Sequence, residues 1–169
     1  MSKRTYIKKT PLPFPAQRVY DWHMAKGAFQ RLVPPWDRVD LLQYTHPIGE
    51  GTTADFLVGG VFIKFRWKVI HENFKPGLEF SDRMVKGPLR SWRHTHRFIP
   101  SGPKACFLED EVEYEMPFPS LTHPLLGWYI HRKLRRLFDY RHIITLNAIL
   151  AELTMDGSSP PASMTSASL

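Results

Sequence analysis

Between positions 61 and 116 the residues change character at almost every step. Val61, Ile63, Phe65, Trp67, Val69 and His71 fall on one parity, with Lys64, Arg66 and Lys68 between them. Phe80, Asp82 and Met84 alternate with Glu79, Ser81 and Arg83. Trp92, His94, His96 and Phe98 alternate with Arg93, Thr95 and Arg97. Cys106, Leu108, Asp110, Val112, Tyr114 and Met116 alternate with Phe107, Glu109, Glu111, Glu113 and Glu115. Successive side chains of a strand point to opposite faces, whereas a helix repeats about every 3.6 residues. The runs are separated by the turn-forming stretches 73–77, 86–88 and 100–104. They therefore predict an antiparallel meander with one wet face and one covered face.

The rest of the chain supplies the cover. Residues 3–10, Asp40–Thr45 and Thr52–Gly59 read as further strands. Pro15 to about Gln30 has helical spacing in Val19, Trp22, His23 and Phe29, and Pro34 and Pro35 end it. Leu125–Leu153 is the one long helical pattern. Ile130, Leu134, Leu137, Phe138, Ile144, Ala148 and Ile149 recur at three- and four-residue spacing, and Arg132, Lys133, Arg135 and Arg136 fall mostly between them. The expectation is an α+β, two-layer domain. A curved antiparallel sheet of about seven strands wraps around a long C-terminal helix, with two short helices after the first strand. A chain of 169 residues, 43% of them hydrophobic, suffices for one such core. The domain is expected over 1–155. Residues 156–169, rich in Ser, Pro and Ala, are expected to be a flexible tail.

Five polar groups carry the covered parity: His71, Asp82, His94, His96 and Asp110. A tight turn at Gly87-Pro88 would set Asp82 opposite His94. The turn at 101–103 permits His94 opposite Asp110, and Trp67 or Val69 would flank Asp82 on its far side. Opposed residues have Cβ atoms about 4.5–5.5 Å apart, so a cross-strand Asp82–His94–Asp110 row is expected, with His96 and His71 near it. A buried carboxylate requires partners. The row can be a structural hydrogen-bond network, or a grip on the polar end of an otherwise apolar ligand. It can also be catalytic, with His94 or His96 as general acid–base and Asp82 or Asp110 orienting it. No Ser or Cys nucleophile is evident, and Cys106 reads as core. His94 and His96, about 6.5–7 Å apart at Cα, could with Asp82 offer two nitrogens and an oxygen to a metal. Two histidines on one strand are a weak signal, and neither a metal nor a cofactor is assigned. Phe65, Trp67, Phe80, Trp92 and Tyr114 share the face and would line a pocket.

Certain stretches carry a resemblance: Leu32–Trp36 (LVPPW), Trp67 with His71, Phe80–Asp82, Gly87-Pro88 with Trp92–Phe98, Asp110 with Tyr114 and Pro117, and Phe138–His142. Together with the element order they resemble the START-like superfamily (SRPBCC, Bet v 1-like, polyketide cyclase/dehydrase). Within it they look like a bacterial subfamily whose relatives sometimes accompany an NAD-dependent epimerase-like domain. The resemblance spans roughly residues 5–150 and implies a helix-grip fold with a cavity between sheet and helix. It would place Trp36 near the cavity entrance. Phe138 and Arg141 fall within the last motif, and Arg141 has near-core spacing, so both are counted among the candidate ligand contacts.

The formal net charge is +7. Arg90, Arg93 and Arg97 face a run of four glutamates, and Arg93 opposite Glu111 is the expected pair, so these charges read as a solvated sheet face. Arg132, Lys133, Arg135 and Arg136 are concentrated on the helix and could meet an anionic membrane or an acidic protein. Aromatic interleaving of the RNA-binding kind is absent, which disfavours nucleic acid. One cysteine excludes an internal disulfide, and neither a secretory signal nor a membrane-length apolar run is present, so the expected setting is cytoplasmic. The reading favours a carrier or sensor for a small hydrophobic or amphipathic ligand (lipid, quinone or polyketide-like). The alternatives are a cyclase/dehydrase- or hydrolase-like enzyme using the inward His/Asp cluster, with His94 and Asp82 as catalytic candidates, and a docking module using the basic helix.

Overall fold

The computed structural model describes residues 3–59, 63–117 and 119–155, without the side chains of 119–125. The expected tail at 156–169 and the face of Val61 lie outside them. Among the described residues seven strands form one sheet: β1 (Arg4–Leu12), β2 (Arg38–Tyr44), β3 (Thr53–Gly59), β4 (Lys64–Lys75), β5 (Glu79–Lys86), β6 (Ser91–Pro100) and β7 (Cys106–Glu115). Their order is β1-β7-β6-β5-β4-β3-β2, antiparallel throughout. Short turns connect β4 to β7 in sequence, as the alternation required. The β4–β5 turn passes through Gly77 at φ 75°, a left-handed conformation that glycine adopts without a Cβ clash.

Helices α1 (Ala16–Met24) and α2 (Ala28–Arg31) follow β1. These are the two short helices expected over 15–30, and they part where Gly27 takes φ 86°. Helix α3 (Pro119–Met155) is longer than read. The spacing read from Leu125 misses its first turns, and the helix passes through Pro124, which lacks the N–H of the helical ladder. No helix of the described residues is long and apolar enough to cross a membrane.

The interior divides in two. Under α1 and the end of α3 lie Leu12, Phe14, Val19, Trp22, Phe80, Phe98, Leu108 and Ile149. Under the middle of α3 lie Tyr6, Val112, Tyr114, Leu134 and Phe138. Along β6 the inward residues run Trp92, His94, His96, Phe98. The histidines thus occupy the seam between the two apolar clusters, which is what places a polar site at the middle of the sheet.

The outer face is a grid of charges. Arg97 reaches Glu109 at 3.1 Å and Glu111 at 2.5 Å, while Arg83 and Arg93 both reach Glu72, at 3.0 and 2.6 Å. The expected Arg93–Glu111 pair is corrected: Arg93 opposes Glu113, and Thr95 opposes Glu111. Arg93 leans across β5 instead, over small Ser81, which is hydrogen-bonded to Thr95 at 3.0 Å. Exposed pairs of this kind contribute roughly 0–1 kcal/mol each.

Candidate functional site

A cavity of about 260 Å³ opens between the β2–β6 part of the sheet and the helices that cover it. Its walls are mainly apolar: Phe29, Leu32, Ala54, Phe56, Trp67, Val69, Phe80 and Trp92 among them. Polar groups enter from sheet and helices alike: His71 from β4, Asp82 from β5, His94 and His96 from β6, His23 from α1, Arg141 from α3, and Asp37 from the segment before β2.

Register explains the convergence. Asp82 opposes His94 as expected, and its far-side neighbour is His71 rather than Trp67 or Val69. His96, not His94, opposes Asp110; His94 faces Val112. The shift of two residues keeps every side chain on its face, as a period of two demands, and the contacts survive it diagonally. His94 Nε2 lies 2.8 Å from Asp110 Oδ1 and Nδ1 lies 3.2 Å from Asp82 Oδ2. His96 Nδ1 comes within 2.7 Å of the same Asp110 oxygen without hydrogen-bonding alignment, and its Nε2 is 3.7 Å from Asp82 Oδ2. The His96 ring stacks on Phe80 at 4.3 Å between centroids and lies 3.9 Å from the His94 ring.

Sequence reasoning missed two histidines here. His142 on α3 bridges Asp110 Oδ2 at 2.6 Å and Thr10 Oγ1 on β1 at 2.7 Å. His23 on α1 hydrogen-bonds the Val19 carbonyl at 2.8 Å through Nδ1 and sits edge-on to Phe98. A signal existed for both. His142 follows Phe138 by four positions and His23 follows Val19 by four, on the inward helical faces.

The electrostatics are those of a desolvated network. Burial opposes the charge on His94, but the hydrogen bonds to Asp110 and Asp82 outweigh it and push the imidazole up to about 9. Burial likewise opposes ionisation of Asp82 and Asp110, and the histidines around them hold both carboxyls well below the usual carboxylate range. His23 goes the other way: buried and close to His96, it is lowered to about 3 and stays neutral. Burial also lowers His71 and Arg141. Arg141 borders the cavity, donates from Nε to the Leu32 carbonyl at 3.3 Å and sits with its guanidinium 5.5 Å from the Phe138 ring; Asp110, Asp82 and Asp37 act on its charge, but it makes no ion pair among the described residues. Cys106 is buried under α1 and raised to about 11 by that burial, which suits core rather than nucleophile.

Eight of the candidate contacts line the cavity: Trp67, His71, Phe80, Asp82, Trp92, His94, His96 and Arg141. Five do not. Phe65 lies two residues outward from Trp67 on the same strand and is 50% exposed. Trp36 is 42% exposed, beneath the Arg136 guanidinium at 4.0 Å and edge-on to Tyr140. Tyr114 and Phe138 are core, and Asp110 lies behind the histidines. The cations Arg132, Lys133, Arg135 and Arg136 are exposed on α3. Asp82, His94 and His96 offer ligand atoms that all lie within 4.8 Å of one another, a group able to hold a metal ion.

The family model described as "Polyketide cyclase / dehydrase and lipid transport" matches residues 12–139, more than half of the chain. The chain belongs to this family. No curated protein matches the sequence. Among solved structures, a START superfamily protein from Mycobacterium smegmatis superposes with a TM-score of 0.65 at 10% identity, covering 87% of this chain and 97% of that one. Norcoclaurine synthase from Thalictrum flavum, in complex with dopamine and hydroxybenzaldehyde, gives 0.64 at 14% identity, with 94% and 90% covered. The nucleoside-diphosphate sugar epimerase from Corynebacterium glutamicum gives 0.63 at 23% identity, covering 90% of this chain but 32% of that one. At these identities the likeness is one of fold. It shows the helix-grip fold that the motifs of this polyketide cyclase/dehydrase chain implied.

Proposed function

We propose that this domain binds a compact amphipathic molecule in the cavity as a carrier or sensor. Its apolar body would lie against Phe56, Trp67, Val69 and Phe80, and its polar end against Arg141 and the Asp82–His94–His96 floor. The observation that carries this reading is Arg141: a partly buried guanidinium at the wall of a mainly apolar cavity, in direct ion pair with no carboxylate among the described residues, suits an anionic or strongly accepting group on the ligand. At about 260 Å³ the cavity is near the lower end of ligand pockets, roughly 300–1,000 Å³. That size favours a ring system over a long acyl chain. A cytoplasmic setting goes with this reading.

The test is native mass spectrometry of the purified protein, followed by titration with an anionic environment-sensitive fluorophore such as anilinonaphthalene sulfonate. Ala54→Trp, which fills the cavity, is expected to abolish fluorophore binding, and Arg141→Met to weaken it, with both variants retaining their far-UV circular dichroism. A clean mass together with no saturable fluorophore binding to the wild type would sink the proposal.

A second reading is catalytic. His94, charged between two carboxylates and lining the cavity, is arranged as a general acid. It predicts turnover of an added cyclisable substrate that is lost in His94→Gln.

A further inference from the structure

We propose that Asp82, His94 and His96 form a binding site for one divalent ion of the zinc or ferrous class, open to the cavity. The ligating atoms are Asp82 Oδ2, His94 Nδ1 and His96 Nε2. The site does not depend on the organic ligand proposed above.

Three observations converge. The first is spacing. Ligands about 2.0–2.2 Å from a tetrahedral zinc ion stand roughly 3.3–3.5 Å from one another. The Asp82 oxygen is 3.2 Å from His94 Nδ1 and 3.7 Å from His96 Nε2, so it already sits at nearly the required edge lengths. The second is the outer shell. A metal-bound histidine almost always turns its other ring nitrogen to a carboxylate or carbonyl, which fixes the ring. Here His94 makes that hydrogen bond to Asp110 Oδ1 at 2.8 Å, and His96 Nδ1 lies 2.7 Å from the same oxygen but out of hydrogen-bonding alignment. His142 and Thr10 anchor the opposite side of the same carboxylate. Asp110 itself is 3% exposed, so its orientation is set by this packing and not by solvent. The third is access. Asp82, His94 and His96 all border the cavity, while Asp110 and His142 do not. Two nitrogens and one oxygen on one side of an ion, with the remaining positions facing a cavity, is the arrangement of sites that keep coordination open for water or substrate.

The charge balance is consistent. Without the ion, the Nδ1–H of His94 points at Asp82. A metal ion takes the place of that proton, which leaves to solvent, and the two positive charges offset the two carboxylates of Asp82 and Asp110.

The protein, stripped with a chelator and dialysed, is titrated calorimetrically with zinc sulfate near neutral pH. One equivalent is expected to bind. Asp110→Asn should weaken binding about 10–100-fold, the usual effect of losing an outer-shell carboxylate. Asp82→Asn and His96→Gln should weaken it further, and His131→Gln on the exposed face of α3 should not. Absence of stoichiometric binding, or equal binding by Asp82→Asn and His96→Gln variants that keep their circular dichroism, would overturn the site. If those variants do not fold, the wild type decides by nitrogen-correlated NMR of its histidine rings. Zinc should shift the His94 and His96 ring nitrogens and leave His46 and His131 in place. Shifts confined to His46 and His131 would mean surface binding and would reject the site.

Discussion

Two phenylalanines read as inward, one from strand alternation and one from helical spacing, show what a single residue can and cannot reveal. Phe138 is fully buried, stacked on Tyr6 at 5.7 Å and edge-on to His94 at 5.0 Å. Truncation to alanine is expected to cost about 3–5 kcal/mol, measured as a fall in the urea midpoint at unchanged slope. Phe65, half exposed at the outer part of β4, is expected to tolerate serine within about 0.5 kcal/mol. Both carried an inward pattern in the sequence. Alternation assigns a face, but coverage of that face depends on where the helices lie, and nothing in the period of β4 encodes that. Trp67 lines the cavity and Phe65 does not, although only Arg66 separates them. Arg141 was legible for a better reason: a cation at near-core spacing on an amphipathic helix has few places to put its charge.

At the scale of elements, strand identity was legible throughout the meander, because hydrophobic contrast between the two faces is large and the turns are rich in glycine and proline. Register was legible only where the turn was tight. Asp82 against His94 follows from the short Gly87-Pro88 connection, whereas the 101–105 turn admitted two solutions and the sequence reading took the wrong one. The outer pairing of Arg93 slipped for the same reason. One pair lay outside the pattern altogether. Asp55 on β3 is buried and accepts hydrogen bonds from Arg66 Nε and Nη2, at 3.0 and 2.6 Å. Those hydrogen bonds hold its carboxyl below the ordinary value. The pair therefore contributes stability that is present above the unfolded carboxyl's pKa, about 3.9, and is lost as pH falls through the lowered folded value. Acid titration of the urea midpoint is expected to fall more steeply below about pH 4 in the wild type than in Asp55→Asn. Parallel curves would show that the pair is not coupled to folding.

For the whole molecule, the sequence led to the helix-grip architecture and to a polar row inside it, while the depth of that row came only with the structure. Reading strands alone yields a row confined to the sheet. The structure extends it through Asp110 to His142 on α3 and Thr10 on β1, because the long helix crosses the sheet where β6 is polar. The hydrogen bond between Thr10 and His142 joins residues 132 positions apart. A contact of that span carries a large loop-closure entropy and forms only after the strands it crosses are paired. Docking of the last helix onto the polar seam then belongs to the native side of the folding barrier. His142→Gln is expected to steepen nothing in the refolding limb of a chevron and to raise the unfolding rate. A slowed refolding limb would place the helix in the nucleus instead. The network that holds Asp82, His94 and His96 against one cavity would thus also govern how long the folded chain persists before it opens.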